Sequence, residues 1–109
     1  MYVAETAYPF TLADDDGWEN TINTEAKLLA GYAATQAGQA AWWRDLLSVV
    51  ETVPEGLGLG AFWWDAAWTA VKGNGWDPAD PSSKNAWENQ VMFDYDGVPT
   101  HAQTWFAHP

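Results

Sequence analysis

The spacing of apolar residues changes repeatedly along this chain, and each change marks a predicted element. Tyr2 to Ala4 reads as the end of a short strand. Glu5 follows it, and Tyr8-Pro9 turns the chain away, since a residue before proline is pushed out of the helical region. Thr11 to Ala34 is polar and turn-rich, holding Asp14, Asp15, Asp16, Gly17 and Asn20. It exceeds the length a simple connection needs, and long loops often carry function. From Gln36 to Glu51 the period shifts: Trp43, Leu46, Leu47 and Val50 recur at helical spacing with Arg44, Asp45 and Ser48 between them, which predicts an amphipathic helix. Pro54, Glu55 and Gly56 end it. Leu57 to Trp64 is then almost uninterrupted in apolar residues, the pattern of a buried parallel strand. Gly73 to Ser83 is a second loop, and Pro99 opens a short helical stretch through Phe106. No internal repeat or low-complexity tract interrupts this order.

Strand, helix, strand predicts an α/β chain with parallel pairing through a crossover helix. Two strands cannot form a sheet covered on both faces, and Met1 stands directly against the first of them. Residues 1–109 are therefore expected to be part of a larger domain, with no complete domain of their own.

Composition sharpens the class. With 48% hydrophobic and only 17% charged residues, there is enough apolar surface to offset ordering entropy, so the chain is expected to fold. Fifteen acidic residues against four basic ones leave a net charge of -11, which repels a phosphate backbone and excludes nucleic acid as a partner. The absence of cysteine rules out a disulfide framework and a thiolate metal site, and is compatible with either side of a membrane. No apolar run approaches the ~20 residues of a spanning helix, so no membrane partner is expected, and the first residues lack the features of a signal peptide.

Three features carry candidate chemistry. In D-D-D-G-W-E-N, Asp14, Asp16 and Asn20 alternate around a bend at Gly17, and clustered oxygen ligands suit a hard cation such as calcium. An EF-hand does not fit: with Asp14 first, the sixth position that demands glycine is Glu19. The competing reading is a solvated acidic loop. Nine tryptophans offer flat faces for the C–H face of a sugar, or else pack a core. Glu5 is either a site carboxylate or one of many solvated glutamates at strand ends. His101 and His108 have no partner at metal-ligand spacing and are assigned surface or packing roles.

The stretches E-T-A-Y-P-F-T, G-Q-A, G-L-G-L-G-A-F-W-W-D-A-A-W and W-E-N-Q-V-M-F-D resemble the C-terminal part of glycoside hydrolase family 53, the arabinogalactan endo-beta-1,4-galactanases. The similarity runs from about Val3 to Phe106. It implies the last two βα units of a (β/α)8 TIM barrel, a fold of ~250 residues. Glu5 then matches the catalytic nucleophile at the end of the seventh strand, while no residue here matches the family's acid/base glutamate. Trp64 falls on the strand-end tryptophan of the sugar-binding floor. Asp65 stands where family members commonly carry glutamate in a W-E-P stretch, with Ala66 in place of the proline. Tyr8 and Trp68 complete the candidate substrate-binding set, and Trp18, Trp76 and Trp87 are secondary candidates. Some bacterial members hold calcium at positions that match Asp14, Asp16, the carbonyl of Trp18, and Asn20, with Asn85 and Glu88 completing the set from the last long loop. The implied substrate is beta-1,4-galactan of pectin side chains, and the implied complete enzyme is secreted or held at the cell surface. Two alternatives stay open at this point: a noncatalytic, calcium-ordered carbohydrate-binding module, and an inert truncated gene product.

Overall fold

The computed structural model of the protein describes residues 1–106. Its order follows the apolar pattern: β1 (Tyr2–Thr6), α1 (Gln36–Glu51) and β2 (Gly60–Trp63), with 3-10 turns at Glu25–Lys27, Pro54–Gly56, Glu88–Gln90 and His101–Phe106. β1 and β2 pair in parallel, Tyr2 opposite Gly60, Val3 opposite Ala61 and Thr6 opposite Trp63, with an irregularity between Val3 and Thr6. This is the strand–helix–strand unit that the alternation of periods predicts.

α1 has the predicted limits. Thr35 caps it, its hydroxyl oxygen accepting from the Gly38 N–H at 3.0 Å, which satisfies one of the donors a helix start leaves free. Gly38 is required there, because a Cβ would sit 1.9 Å from the Ala33 carbonyl oxygen. The buried stripe holds Trp43 and Val50 as predicted, while Leu46 and Leu47 are half-buried. It also holds Gln39, a polar residue the apolar pattern passes over. Its Nε2 donates to the carbonyls of Tyr8 and Val91, both at 2.9 Å, and so ties the exit of β1 to the last loop.

The core is aromatic. Trp43 lies 5.1 Å from Trp63 and stacks on Phe106 at 5.2 Å, and Trp42 meets Trp63 edge-on at 5.8 Å. The final helical stretch forms as the 3-10 turn His101–Phe106, which packs on α1. His101 is exposed, and His108 lies outside the described residues.

Two strand expectations change. β1 runs two residues beyond Ala4, so Glu5 belongs to the strand itself. β2 starts at Gly60 rather than Leu57, because the turn at Pro54–Gly56, with positive φ at Glu55 and Gly56, delivers the chain late to the sheet. Gly58 is needed on that path: a Cβ there would lie 1.8 Å from the Val50 carbonyl oxygen. Nor is the run buried throughout. Side chains alternate across a strand, so Trp63 faces α1 while Phe62 is exposed on the other face, edge-on to Tyr2 at 5.4 Å. No helix among the described residues is long and apolar enough to cross a membrane.

Candidate active site and cation loop

β1 and β2 end side by side, and the Trp64 N–H donates to the Thr6 carbonyl at 2.8 Å. That bond sets Glu5, exposed at the C-terminal end of β1, beside Trp64. Glu5, Thr6, Ala7, Trp64, Trp87 and Gln90 line one open cleft of about 300 Å³. Trp64 and Trp87 also belong to an adjoining trough of about 380 Å³, whose other walls are Trp18, Thr21, Trp68, Trp76 and Ala86. Trp64 meets Trp68 at 5.8 Å and Trp87 at 5.4 Å with the rings near perpendicular in both pairs, and 42% of the residue is exposed.

The remaining sugar-contact candidates divide. Asp65 is exposed next to Trp64, its carboxylate accepting from the Ala67 N–H at 3.3 Å. Trp68 is half-buried with its Nε1 donating to the Asn74 carbonyl at 2.6 Å. Tyr8, by contrast, is placed in the core at 4% exposure. Its ring stacks on Trp42 at 5.1 Å, and its hydroxyl donates to the Tyr32 carbonyl and accepts from the Leu29 N–H. A ring so enclosed offers no face to the cleft. Trp63 is likewise turned inward, its Nε1 donating to the Gln90 carbonyl.

Gln90 is a cleft residue that sequence reasoning missed. It is 2% exposed, and its Nε2 has no hydrogen-bond partner among the described residues. A lone glutamine has no spacing signature, and only the loop that folds over the strand ends brings it to Glu5.

The acidic loop closes on the last long loop. Asp14, Asp16 and Glu88 each present an oxygen within 4.8 Å of the others. The loop's own amides shape it: Asp14 accepts from Gly17 N at 2.6 Å, and Asp16 from Trp18 N at 2.8 Å. Glu88 is fully buried. Its Oε1 accepts from Asp15 N at 2.6 Å, and its Oε2 has no partner. Burial pushes the Glu88 carboxyl above the usual range, the Asp15 N–H opposes that, and the charges of Asp16 and Asp14 reinforce it. Asn20, 2% exposed, donates through Nδ2 to the Ala13 carbonyl at 3.1 Å and leaves Oδ1 buried without a partner. Asn85 belongs to the same junction with its side chain already engaged: Nδ2 donates to the Trp68 carbonyl and Oδ1 accepts from Trp87 N. Tyr95 closes the floor, its hydroxyl donating to the Ala13 carbonyl, and burial drives its ionisation upward.

A carboxylate exposed at a strand end thus stands beside an aromatic trough. A model of glycosyl hydrolase family 53 matches residues 1–106. The chain belongs to that family. It is 45% identical over 95 residues to a Niallia circulans protein described as uncharacterized, in the bgaB 5' region, covering 87% of this chain and 25% of that one. It is 32% identical over 125 residues to an endo-beta-1,4-galactanase of Bacillus subtilis (strain 168), covering 91% of this chain and 29% of the relative. Among solved structures, a GH53 catalytic domain of Ignisphaera aggregans superposes with a TM-score of 0.86 at 37% identity, covering 96% of this chain and 29% of that one. The chain thus spans between 25% and 29% of the length of these relatives. Its fold is that of the matching portion of the GH53 catalytic domain, a TIM barrel, with one parallel strand pair and its crossover helix present here.

Proposed function

We propose that this chain supplies the nucleophile and part of the sugar-binding wall of a retaining endo-beta-1,4-galactanase, as the last two βα units of its (β/α)8 barrel. The observation that carries this reading is the shared cleft of Glu5, Trp64, Trp87 and Gln90 at the C-terminal strand ends, where barrel enzymes gather their catalytic groups. In a retaining glycosidase an ionised carboxylate attacks the anomeric carbon to form a glycosyl-enzyme, while a carboxylic acid ~5 to 5.5 Å away protonates the leaving oxygen and later activates water. Glu5 fits the first role. The second belongs to an acid/base glutamate outside the residues that match here, so the isolated chain is read as inactive. The substrate is beta-1,4-galactan, whose rings present C–H faces to the Trp64 indole, with Trp68, Trp87, Trp18 and Trp76 extending the contact and Asp65 at its edge. A polymer of that kind is met outside the cell, which fits a secreted or surface-held enzyme. A parallel strand–helix–strand unit argues against a carbohydrate-binding module, since such modules are usually β-sandwiches.

This reading is tested on the complete barrel with Trp64→Ala. Losing one aromatic contact is expected to weaken galacto-oligosaccharide binding roughly three- to tenfold. Unchanged affinity by calorimetry would remove Trp64 from the sugar-binding wall.

The acidic loop fits a calcium ion. Oxygens up to 4.8 Å apart match two ligands on opposite sides of a cation that binds oxygen at about 2.3 to 2.6 Å. The orphaned, buried Asn20 Oδ1 and Glu88 Oε2 are the acceptors such an ion would satisfy. Asp14, Asp16, Glu88, Asn20 and the Trp18 carbonyl are the residues to hold it. Asn85, whose Nδ2 and Oδ1 bond the Trp68 carbonyl and the Trp87 N–H, completes the predicted set from the last long loop. When bound, the ion would neutralise the clustered carboxylates and clamp the two loops, with no part in bond cleavage. Binding to the folded state alone stabilises by about 2.7 kcal/mol at a hundredfold excess over Kd. Removing metal with a chelator is therefore expected to lower the melting temperature by several degrees, reversibly on adding calcium. An identical melting curve in chelator and in millimolar calcium would leave a solvated acidic loop.

A further inference from the structure

Asn85 is the junction between the acidic loop and the aromatic trough. It is 1% exposed, and three of its hydrogen-bonding groups reach Asp16, Trp68 and Trp87. Its main-chain N–H donates to Asp16 Oδ2 at 2.7 Å, its Nδ2 to the Trp68 carbonyl at 2.5 Å, and its Oδ1 accepts from the Trp87 N–H at 2.8 Å. The other oxygen of Asp16 accepts from the Trp18 N–H at 2.8 Å. Trp18, Trp68 and Trp87 are all walls of the trough, and Trp87 Nε1 carries the chain of bonds on to the Trp64 carbonyl at 3.0 Å. Asp16 is thus one hydrogen bond from Trp18 and, through Asn85, two from Trp68 and Trp87.

We propose that Asn85 is a positioning residue that makes cation binding at Asp14, Asp16 and Glu88 and glycan binding in the tryptophan trough mutually reinforcing. The inference rests on the calcium and galactan readings above and adds the regulation of that site. Without a cation, three carboxylates confined within 4.8 Å repel one another, and loop arrangements that separate them are favoured. Moving Asp16 away breaks its bond to Asn85 and frees the backbone at two of the trough walls. A bound glycan needs those indoles at fixed separations, so it must order the loops itself. A cation that has already ordered them removes that cost, and by linkage the glycan raises the affinity for the cation by the same factor.

The test uses the complete barrel enzyme, metal-free, with calcium chloride and linear beta-1,4-galactotetraose as probes. Calorimetry measures calcium affinity with and without the tetrasaccharide, and tetrasaccharide affinity with and without calcium. Couplings between sites commonly span about five- to 150-fold, and roughly tenfold is expected here, equal in both directions. Asn85→Ala keeps the main-chain donor to Asp16 and removes only the links to Trp68 and Trp87. It is expected to bring the coupling factor toward one, a ratio read separately from its calcium affinity in the absence of sugar. Asn85→Ser, a smaller perturbation that retains a hydroxyl, supplies the same comparison if the alanine variant does not fold. A merely structural role would weaken both ligands and leave their ratio intact. Wild-type calcium affinity that ignores the tetrasaccharide overturns the linkage while leaving the calcium reading standing. Full coupling in a folded Asn85 variant overturns the role of Asn85. No calcium uptake by the wild type overturns both the linkage and the cation reading.

Discussion

Glu5→Gln, placed in the complete barrel, is expected to lower kcat on linear beta-1,4-galactan by about four to six orders of magnitude, the scale on which nucleophile loss acts in other covalent enzymes. The carboxamide keeps the shape of the side chain at the end of β1 but carries no negative charge to attack the anomeric carbon, so the glycosyl-enzyme cannot form. Trp64 and the trough are untouched by the change. Binding of galacto-oligosaccharide is therefore expected to stay within a fewfold of wild type. Initial-rate assays of reducing-sugar release, paired with calorimetric titration, separate the two effects. A variant that keeps even a few percent of wild-type kcat would assign the nucleophile elsewhere. The 109-residue chain by itself is expected to release no sugar, because one carboxylate performs half of the double displacement.

The largest effect on stability is expected at Trp43. This residue is 1% exposed and lies where α1, β2 and the terminal turn meet, in contact with Trp42, Trp63 and Phe106. Trp43→Ala removes the ring from the middle of that cluster and opens a cavity that the surrounding indoles cannot collapse into, at a cost of about 3 to 5 kcal/mol. Whole domains are stable by only about 5 to 15 kcal/mol, so much of the folding margin would be lost. Val49, 65% exposed and further along α1, is the control, and Val49→Ala is expected to change stability by no more than about 0.5 kcal/mol. Urea unfolding followed by circular dichroism gives both values. A Trp43→Ala loss no larger than that of the control would show that the aromatic cluster does not hold α1 to the sheet.

Periodicity alone placed α1 at Gln36–Glu51, because a 3.6-residue repeat over sixteen positions is a local property that neighbouring elements need not create. Strand, helix and strand in that order were legible for the same reason, as were the alternating Asp14, Asp16 and Asn20 around Gly17. Motif resemblance, rather than pattern, singled out Glu5, since one glutamate at a strand end carries no spacing signal. Tertiary structure decided the rest. Trp63 and Trp64 are identical neighbours in sequence, yet Trp63, the last residue of β2, turns to the helix and Trp64, just past the strand, lines the cleft. Tyr8 follows β1 closely in sequence, yet the turn at Pro9 and the packing of Trp42 place it in the core. Glu88 reaches Asp15 across 73 residues, and Asn85 reaches Asp16 across 69. Neither contact has a local signature, because hydrogen bonds between distant loops are set by how the strands bring those loops together. Glu5, the aspartates, Asn85 and Glu88 could therefore be named from the chain, whereas Gln90 at the cleft, and the bonds by which Asn85 joins the acidic loop to the trough, exist only once β1 and β2 are paired.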